Sequence, residues 1–126
     1  MIKLRRRLSI KQFVRRHPDL ELEVHARDGT YVVIARKRNA EATVLATRVY
    51  QRLEEAVYEL SCACYKLASL DAMERQGWAD ANTGQTGVPL QAHHVKKRSK
   101  GRLDATENLA GVTAETHGFQ HERKGR

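Results

Sequence analysis

Cysteine and proline are scarce in this sequence of 126 residues, with two of each. The cysteines, Cys62 and Cys64, form a C-x-C pair, which is neither a CxxC redox motif nor the spacing of a zinc knuckle. We interpret both as reduced thiols of a cytosolic protein, because disulfides persist mainly in oxidising compartments.

Long apolar runs are also missing. No run approaches the length that a membrane-spanning helix requires, and the basic N-terminus lacks the apolar segment of a signal peptide. The sequence therefore predicts no membrane partner and a location in the cytoplasm of the cell that makes the protein.

Positive charge, in contrast, is abundant and clustered. The formal net charge is +8, in a chain that is 40% hydrophobic and so has an ordinary globular composition. The first 16 residues carry seven basic residues and no acidic one, and residues 91–126 carry eight basic against four acidic residues. This distribution favours an anionic partner, nucleic acid before an acidic membrane surface.

The first third of the chain predicts a basic arm (residues 1–8), a short helix and a β-hairpin. Ser9 and Gln12 have capping-box spacing, and the helix should bury Ile10, Phe13 and Val14 and end before Pro18. Apolar and charged residues then alternate from residue 20 to 24, Asp28-Gly29 suits a two-residue turn, and residues 31–35 form the return strand.

Residues 42–75 predict one long helix, since apolar residues recur at spacings of three and four. The stripe consists of Val49, Leu53, Ala56, Leu60, Ala63, Leu67 and Leu70. Packing on the hairpin is the simpler interpretation, and a homodimer through this helix is the alternative. Glycines and a proline in residues 77–89 indicate a loop, so we divide the chain into modules 1–76 and 77–126.

The C-terminal module predicts strand, long loop, strand and helix. Val88–His94 and Asn108–Val112 suit the strands, and Thr113 can cap a helix that begins at Ala114. His117 and His121 share one face of that helix and can bind one metal ion, a weak signal that the adjacent His93 and His94 strengthen. Phosphodiester cleavage needs a base near neutral pKa and a cation, and these side chains supply candidates for both.

These motifs resemble the HNH nuclease family. The stretch from His93-His94 to Ser99, then Glu107-Asn108-Leu109, then His117 and His121, is similar to the H-H, N, H-x-x-x-H arrangement of the colicin-type DNases. The resemblance covers about residues 78–124 and implies a ββα-metal fold. The whole chain is therefore predicted to be α+β, with an N-terminal β-hairpin and long helix followed by an HNH module.

The resemblance also implies roles for individual residues. His94 is the general base that activates water, and His93, His117 and His121 hold one divalent metal ion (Mg, Mn, Ni or Zn). Asn108 orients His94 or braces the loop, although its counterpart in other branches is itself a metal ligand. The implied activity is DNA endonuclease, nicking or cutting both strands to give 5′-phosphate and 3′-hydroxyl ends, in a phage-infected or prophage-carrying bacterium.

The sequence departs from the family pattern in two places. Many phage-type relatives bind a structural zinc ion through paired cysteines, which are missing here, so local packing must replace that ion and Trp78 is the candidate. The usual Gly-Gly of the loop appears as Lys100-Gly101-Arg102, which adds charge near the site.

The basic loop predicts sequence-independent contacts to DNA phosphates. Its members are Lys96, Lys97, Arg98, Lys100 and Arg102. Two other functions stay open: a non-catalytic nucleic-acid-binding protein whose histidines form a closed structural zinc site, and an accessory nuclease subunit of a phage or mobile-element machine.

Overall fold

The computed structural model describes residues 6–38, 44–98 and 101–115. In chain order its main elements are α1 (Ile10–Arg16), β1 (Leu20–Arg27), β2 (Thr30–Lys37), β3 (Val44–Tyr50), α2 (Leu53–Arg75), β4 (Gln91–His94) and β5 (Leu109–Val112). The chain divides into two compact units, Met1–Lys66 and Leu67–Arg126, and the division falls within α2. The predicted module boundary at residue 76 stays a prediction.

Helix α1 begins with the predicted capping box. The Ser9 hydroxyl accepts from the Gln12 backbone N–H at 3.1 Å, and the Gln12 side chain accepts from the Ser9 backbone N–H at 3.0 Å. Phe13 is fully buried, as predicted, but Ile10 and Val14 are exposed. A helix of seven residues buries a narrow stripe, and here that stripe is centred on Phe13.

The predicted hairpin is confirmed as β1 and β2, which pair antiparallel from Leu20 opposite Lys37 to Arg27 opposite Thr30. The turn residues Asp28 and Gly29 have φ of 48° and 77°. Two successive positive φ values match the twist of antiparallel strands, and aspartate and glycine tolerate them best.

The prediction of one helix over residues 42–75 is wrong at its start. Residues Val44–Tyr50 form β3, which pairs antiparallel with β2, so the hairpin is part of a three-stranded sheet in the order β1-β2-β3. Valine, threonine and tyrosine in this segment favour a pleated strand, and β2 offers a free edge for pairing. The spacing between Val49 and Leu53 that suggested a helix is coincidental.

The core of the first unit lies between the sheet and α2. Its buried residues are Leu8, Phe13, Leu20, Val33, Ala35, Ala56, Val57, Leu60 and Cys64. Helix α2 therefore packs on the sheet within the chain, as the simpler interpretation predicted. A homodimer through α2 stays a prediction.

The second unit combines the end of α2 with β4 and β5. The two strands pair antiparallel, with His94 opposite Leu109, and a 3₁₀ helix at Thr106–Asn108 leads into β5. The side-chain amide of Gln76 accepts from the Gly111 N–H at 2.8 Å and donates to the Gly111 carbonyl at 3.0 Å, so it pairs with β5 as a neighbouring strand would. Helical backbone begins at Ala114, where the sequence predicted it.

Within residues 6–38, 44–98 and 101–115, no helix is both long enough and apolar enough to cross a lipid bilayer.

Candidate active site

His93 and His94 are the last two residues of β4, and both are buried. Neighbouring residues of a regular strand face opposite ways, so the two imidazoles serve different surroundings. The pairing of β4 with β5 fixes the end of β4 beside Leu109, where the loop that links the strands returns. His94 therefore lies where this loop begins, and only 7% of its surface is exposed.

A buried carboxylate fixes one side of the His94 ring. The Nε2 atom lies 2.7 Å from Oδ1 of Asp104, which is 2% exposed. The Arg102 guanidinium donates from Nε to both Asp104 oxygens at 3.0 Å. This arginine compensates the charge of a carboxylate that would otherwise be costly to bury, so the ring has a rigid partner.

The other ring nitrogen of His94 faces Arg98. Nε of Arg98 donates to Nδ1 of His94 at 3.3 Å, a long hydrogen bond. Nδ1 must carry the lone pair to accept it, and Nε2 must carry the proton to donate to Asp104. Both contacts require the same neutral tautomer, in which Nδ1 is the basic nitrogen.

Asn108 connects the two ends of the loop. Its Oδ1 accepts from the Lys96 backbone N–H at 2.8 Å, and its Nδ2 donates to the Leu103 carbonyl at 2.9 Å. Its own carbonyl accepts from the Val95 N–H at 2.8 Å. Both ends of the amide are engaged with loop backbone, which is the geometry of a loop brace.

The residues of the basic loop differ in their surroundings. Lys96, Lys97 and Arg98 are exposed beside His94, where they can meet an anionic ligand. Arg102 is partly buried and bonded to Asp104. Lys100 lies outside the described residues.

Of the three proposed metal ligands, the described part of the chain contains His93 alone; His117 and His121 lie outside it. His93 is 6% exposed, and a buried imidazole fits a ligand role. Three neutral imidazoles suit zinc or nickel better than magnesium or manganese, which prefer oxygen ligands. The donor set is therefore compatible with one transition-metal ion.

Trp78, the candidate to replace the structural zinc ion by packing over the module, is half exposed, and its packing stays a prediction. Asp80 provides local order. Its carboxylate accepts from the Thr113 N–H at 2.6 Å and from the backbone N–H groups of Asn82 and Thr83 at 2.7 and 2.9 Å. One buried side chain thus joins the loop after α2 to the residue that precedes the helical segment at Ala114.

Asp104 is the residue that sequence reasoning missed. It is the only acidic residue between His94 and Glu107, in a segment with five lysines and arginines. A single acidic residue in such a loop indicates a structural or functional role, because a lone carboxylate among cations readily becomes their buried partner. The sequence does not, however, say which cation or imidazole it meets.

Comparison of the chain with protein-family models, with curated proteins and with solved structures gives no significant match. The function is therefore inferred from the chemistry of these side chains.

Proposed function

We propose that this protein is a metal-dependent DNA endonuclease in which His94 is the general base. The observation that carries the proposal is the His94–Asp104 pair at the end of β4. The carboxylate accepts from Nε2 and so leaves the lone pair on Nδ1. A histidine oriented by a buried carboxylate, with a defined basic nitrogen, is a recurring arrangement for removing a proton from a nucleophile.

The proposed reaction is hydrolysis of a phosphodiester. The water oxygen bonds to phosphorus, its proton passes to Nδ1 of His94, and the bond from phosphorus to the 3′ oxygen breaks. The 3′ oxygen takes a proton from solvent, which gives 5′-phosphate and 3′-hydroxyl ends. Asp104 keeps the His94 ring oriented and stabilises the imidazolium that forms, and Asn108 keeps the loop closed around it.

His93, His117 and His121 would hold the divalent metal ion, which when bound supplies positive charge to the phosphate and to the leaving oxygen. The exposed cations Lys96 and Lys97 contact DNA phosphates, which position the duplex without reading its sequence. The net charge of +8 supports DNA as the substrate class. A cytoplasmic location is part of this proposal.

The test is cleavage of supercoiled plasmid by the full chain in a series of divalent ions, with a chelator as the blank. His94→Ala should reduce the initial rate about 10²- to 10⁴-fold, the usual contribution of a general base. His25→Ala is the matched control, because His25 is a strand residue whose side chain is 60% exposed and whose ring contacts Glu23.

Two results would overturn the proposal. One is a His94→Ala protein that cuts as fast as the wild-type protein. The other is a wild-type protein that binds plasmid and zinc but cleaves neither strand in any divalent ion, which would favour a structural zinc site.

A further inference from the structure

The basic nitrogen of His94 already accepts a hydrogen bond from a cationic side chain. The Arg98 guanidinium donates to Nδ1, the atom that the proposed reaction needs as a proton acceptor. While that hydrogen bond persists, the lone pair of Nδ1 points at an N–H group and cannot receive a proton from water. The folded chain therefore contains both the base and the group that blocks it.

Arg98 is also suited to leave this position. Its side chain belongs to an exposed residue of the basic loop, and its bond to Nδ1 is long and has a neutral acceptor. Hydrogen bonds from a guanidinium to an anionic phosphate are roughly twice as strong as neutral ones and are frequently bidentate. A phosphate that reaches the loop is therefore the better acceptor for Arg98.

The opposite side of the ring behaves differently. Asp104 is buried and held by Arg102 at 3.0 Å, so the contact at Nε2 is fixed while the contact at Nδ1 can be exchanged. Loss of Arg98 from Nδ1 thus leaves the ring in the same place with the same tautomer. The two arginines of this loop have different roles: Arg102 holds Asp104 in place, whereas Arg98 can move away from His94.

We propose that Arg98 is a substrate-operated latch on His94: it covers Nδ1 in the free protein and moves to a backbone phosphate when nucleic acid binds. This inference rests on the proposed function for its biological meaning. The latch delays exposure of the base until a phosphodiester is present.

The experiment measures the latch without any cleavage. Diethyl pyrocarbonate acylates unprotonated imidazole nitrogens, and fragment-ion mass spectrometry assigns the modified histidine. The full chain is treated at fixed pH with chelator present, as wild type, Arg98→Gln and Lys96→Gln. Lys96→Gln is the matched control, because it removes the same charge from the same exposed loop.

We expect His94 to be acylated about two- to tenfold faster in Arg98→Gln than in the wild-type protein, the range that one ordinary hydrogen bond can protect. Lys96→Gln should react as the wild type does. Inorganic phosphate, compared with chloride at equal ionic strength, should accelerate acylation of His94 in the wild-type protein and not in Arg98→Gln.

The latch is refuted if His94 reacts equally in wild type and Arg98→Gln, if Lys96→Gln reacts as fast as Arg98→Gln, or if phosphate has no effect beyond that of chloride. Thermal unfolding of each variant shows that it is folded. The nuclease proposal can fail independently of the latch. If plasmid stayed intact with every metal, the expected acylation rates would be the same.

Discussion

Replacing Asp104 with asparagine tests whether the charge of this residue assists His94 as the base. The change keeps the size of the side chain and removes its charge. Oδ1 of Asp104 lies 2.7 Å from Nε2 of His94 and accepts from Arg102 at 3.0 Å, whereas Oδ2 accepts from Arg102 at 3.0 Å. An asparagine oxygen in the place of Oδ1 therefore keeps both partners, and the N–H group of the amide faces Arg102.

The variant loses the charge that faces His94. The asparagine oxygen still accepts from Nε2, so His94 keeps the tautomer with its lone pair on Nδ1. A neutral amide does not, however, stabilise the imidazolium that forms when Nδ1 takes a proton, as the carboxylate does. A hydrogen bond to a charged group contributes about 1.5–3 kcal/mol, against about 0.5–1.5 kcal/mol for a neutral pair.

The expected loss of rate follows from that difference. About 1–2 kcal/mol less stabilisation of the imidazolium corresponds to a plasmid cleavage rate that is about 5- to 30-fold lower. The expected loss of stability is about 1–3 kcal/mol, because the Arg102 guanidinium loses an anionic partner. Arg102 is 26% exposed, so water can replace part of this lost contact and the lower end of that range is expected.

Three measurements separate positioning from folding. Initial rates of plasmid nicking give the activity, denaturant unfolding gives the stability, and ¹⁵N NMR of the imidazole reports which nitrogen of His94 is protonated. Glu107→Gln is the control, because Glu107 is an exposed acid of the same unit and loses the same charge. A folded Asp104→Asn protein that cleaves at the wild-type rate, or one in which the proton of His94 has moved to Nδ1, would refute this reasoning.

Two further predictions concern stability. A Cβ at position 111 would lie 2.8 Å from Cγ of Met73, so Gly111→Ala should destabilise the chain by about 1–3 kcal/mol in denaturant unfolding. Adding Met73→Ala should cost less than the sum of the two single changes, and strict additivity would contradict the clash. The second concerns Glu23, whose pKa lies below its usual value because of hydrogen bonds to His25 and then to Arg36. A lowered carboxyl pKa stabilises the fold above the ordinary pKa and loses this effect as pH falls through the folded value. Glu23→Gln should therefore lower the melting temperature near neutral pH and have little effect in strong acid, whereas an equal shift at both would count against the ion pair.

Local signals predicted much of the fold. The capping box at Ser9 and the Asp28-Gly29 turn depend on residues within four positions of each other, so the sequence alone specifies them. Strand β3 was missed because its pairing with β2 is a tertiary contact. Residues 44–50 include both a helical spacing and strand-forming side chains, and the exposed edge of β2 decides between them.

The proximity of His94 to Asn108 was predictable for a different reason. His94, Asn108 and the cations between them lie in one strand–loop–strand segment, so short-range sequence pattern keeps them together. Asp104 and the direction of Arg98 could not be predicted, because they depend on how the loop folds over the ring. The placement of His117 and His121 stays a prediction, since both lie outside the described residues.

Hydrogen bonds from two side chains, Gln76 and Asp80, explain how this part of the chain is ordered without cysteine ligands nearby. Gln76 pairs with both backbone groups of Gly111, and Asp80 binds the N–H of Thr113 two residues later. These two side chains come from the segment that follows α2, and they fix the end of β5 next to the first helical residue. A structural zinc ion held by paired cysteines would cross-link a loop to a strand end in the same way. Here uncharged and carboxylate hydrogen bonds perform that task, so the strand that pairs with β4 is ordered by the chain itself, and the metal ion proposed at the histidines would not be needed for this support.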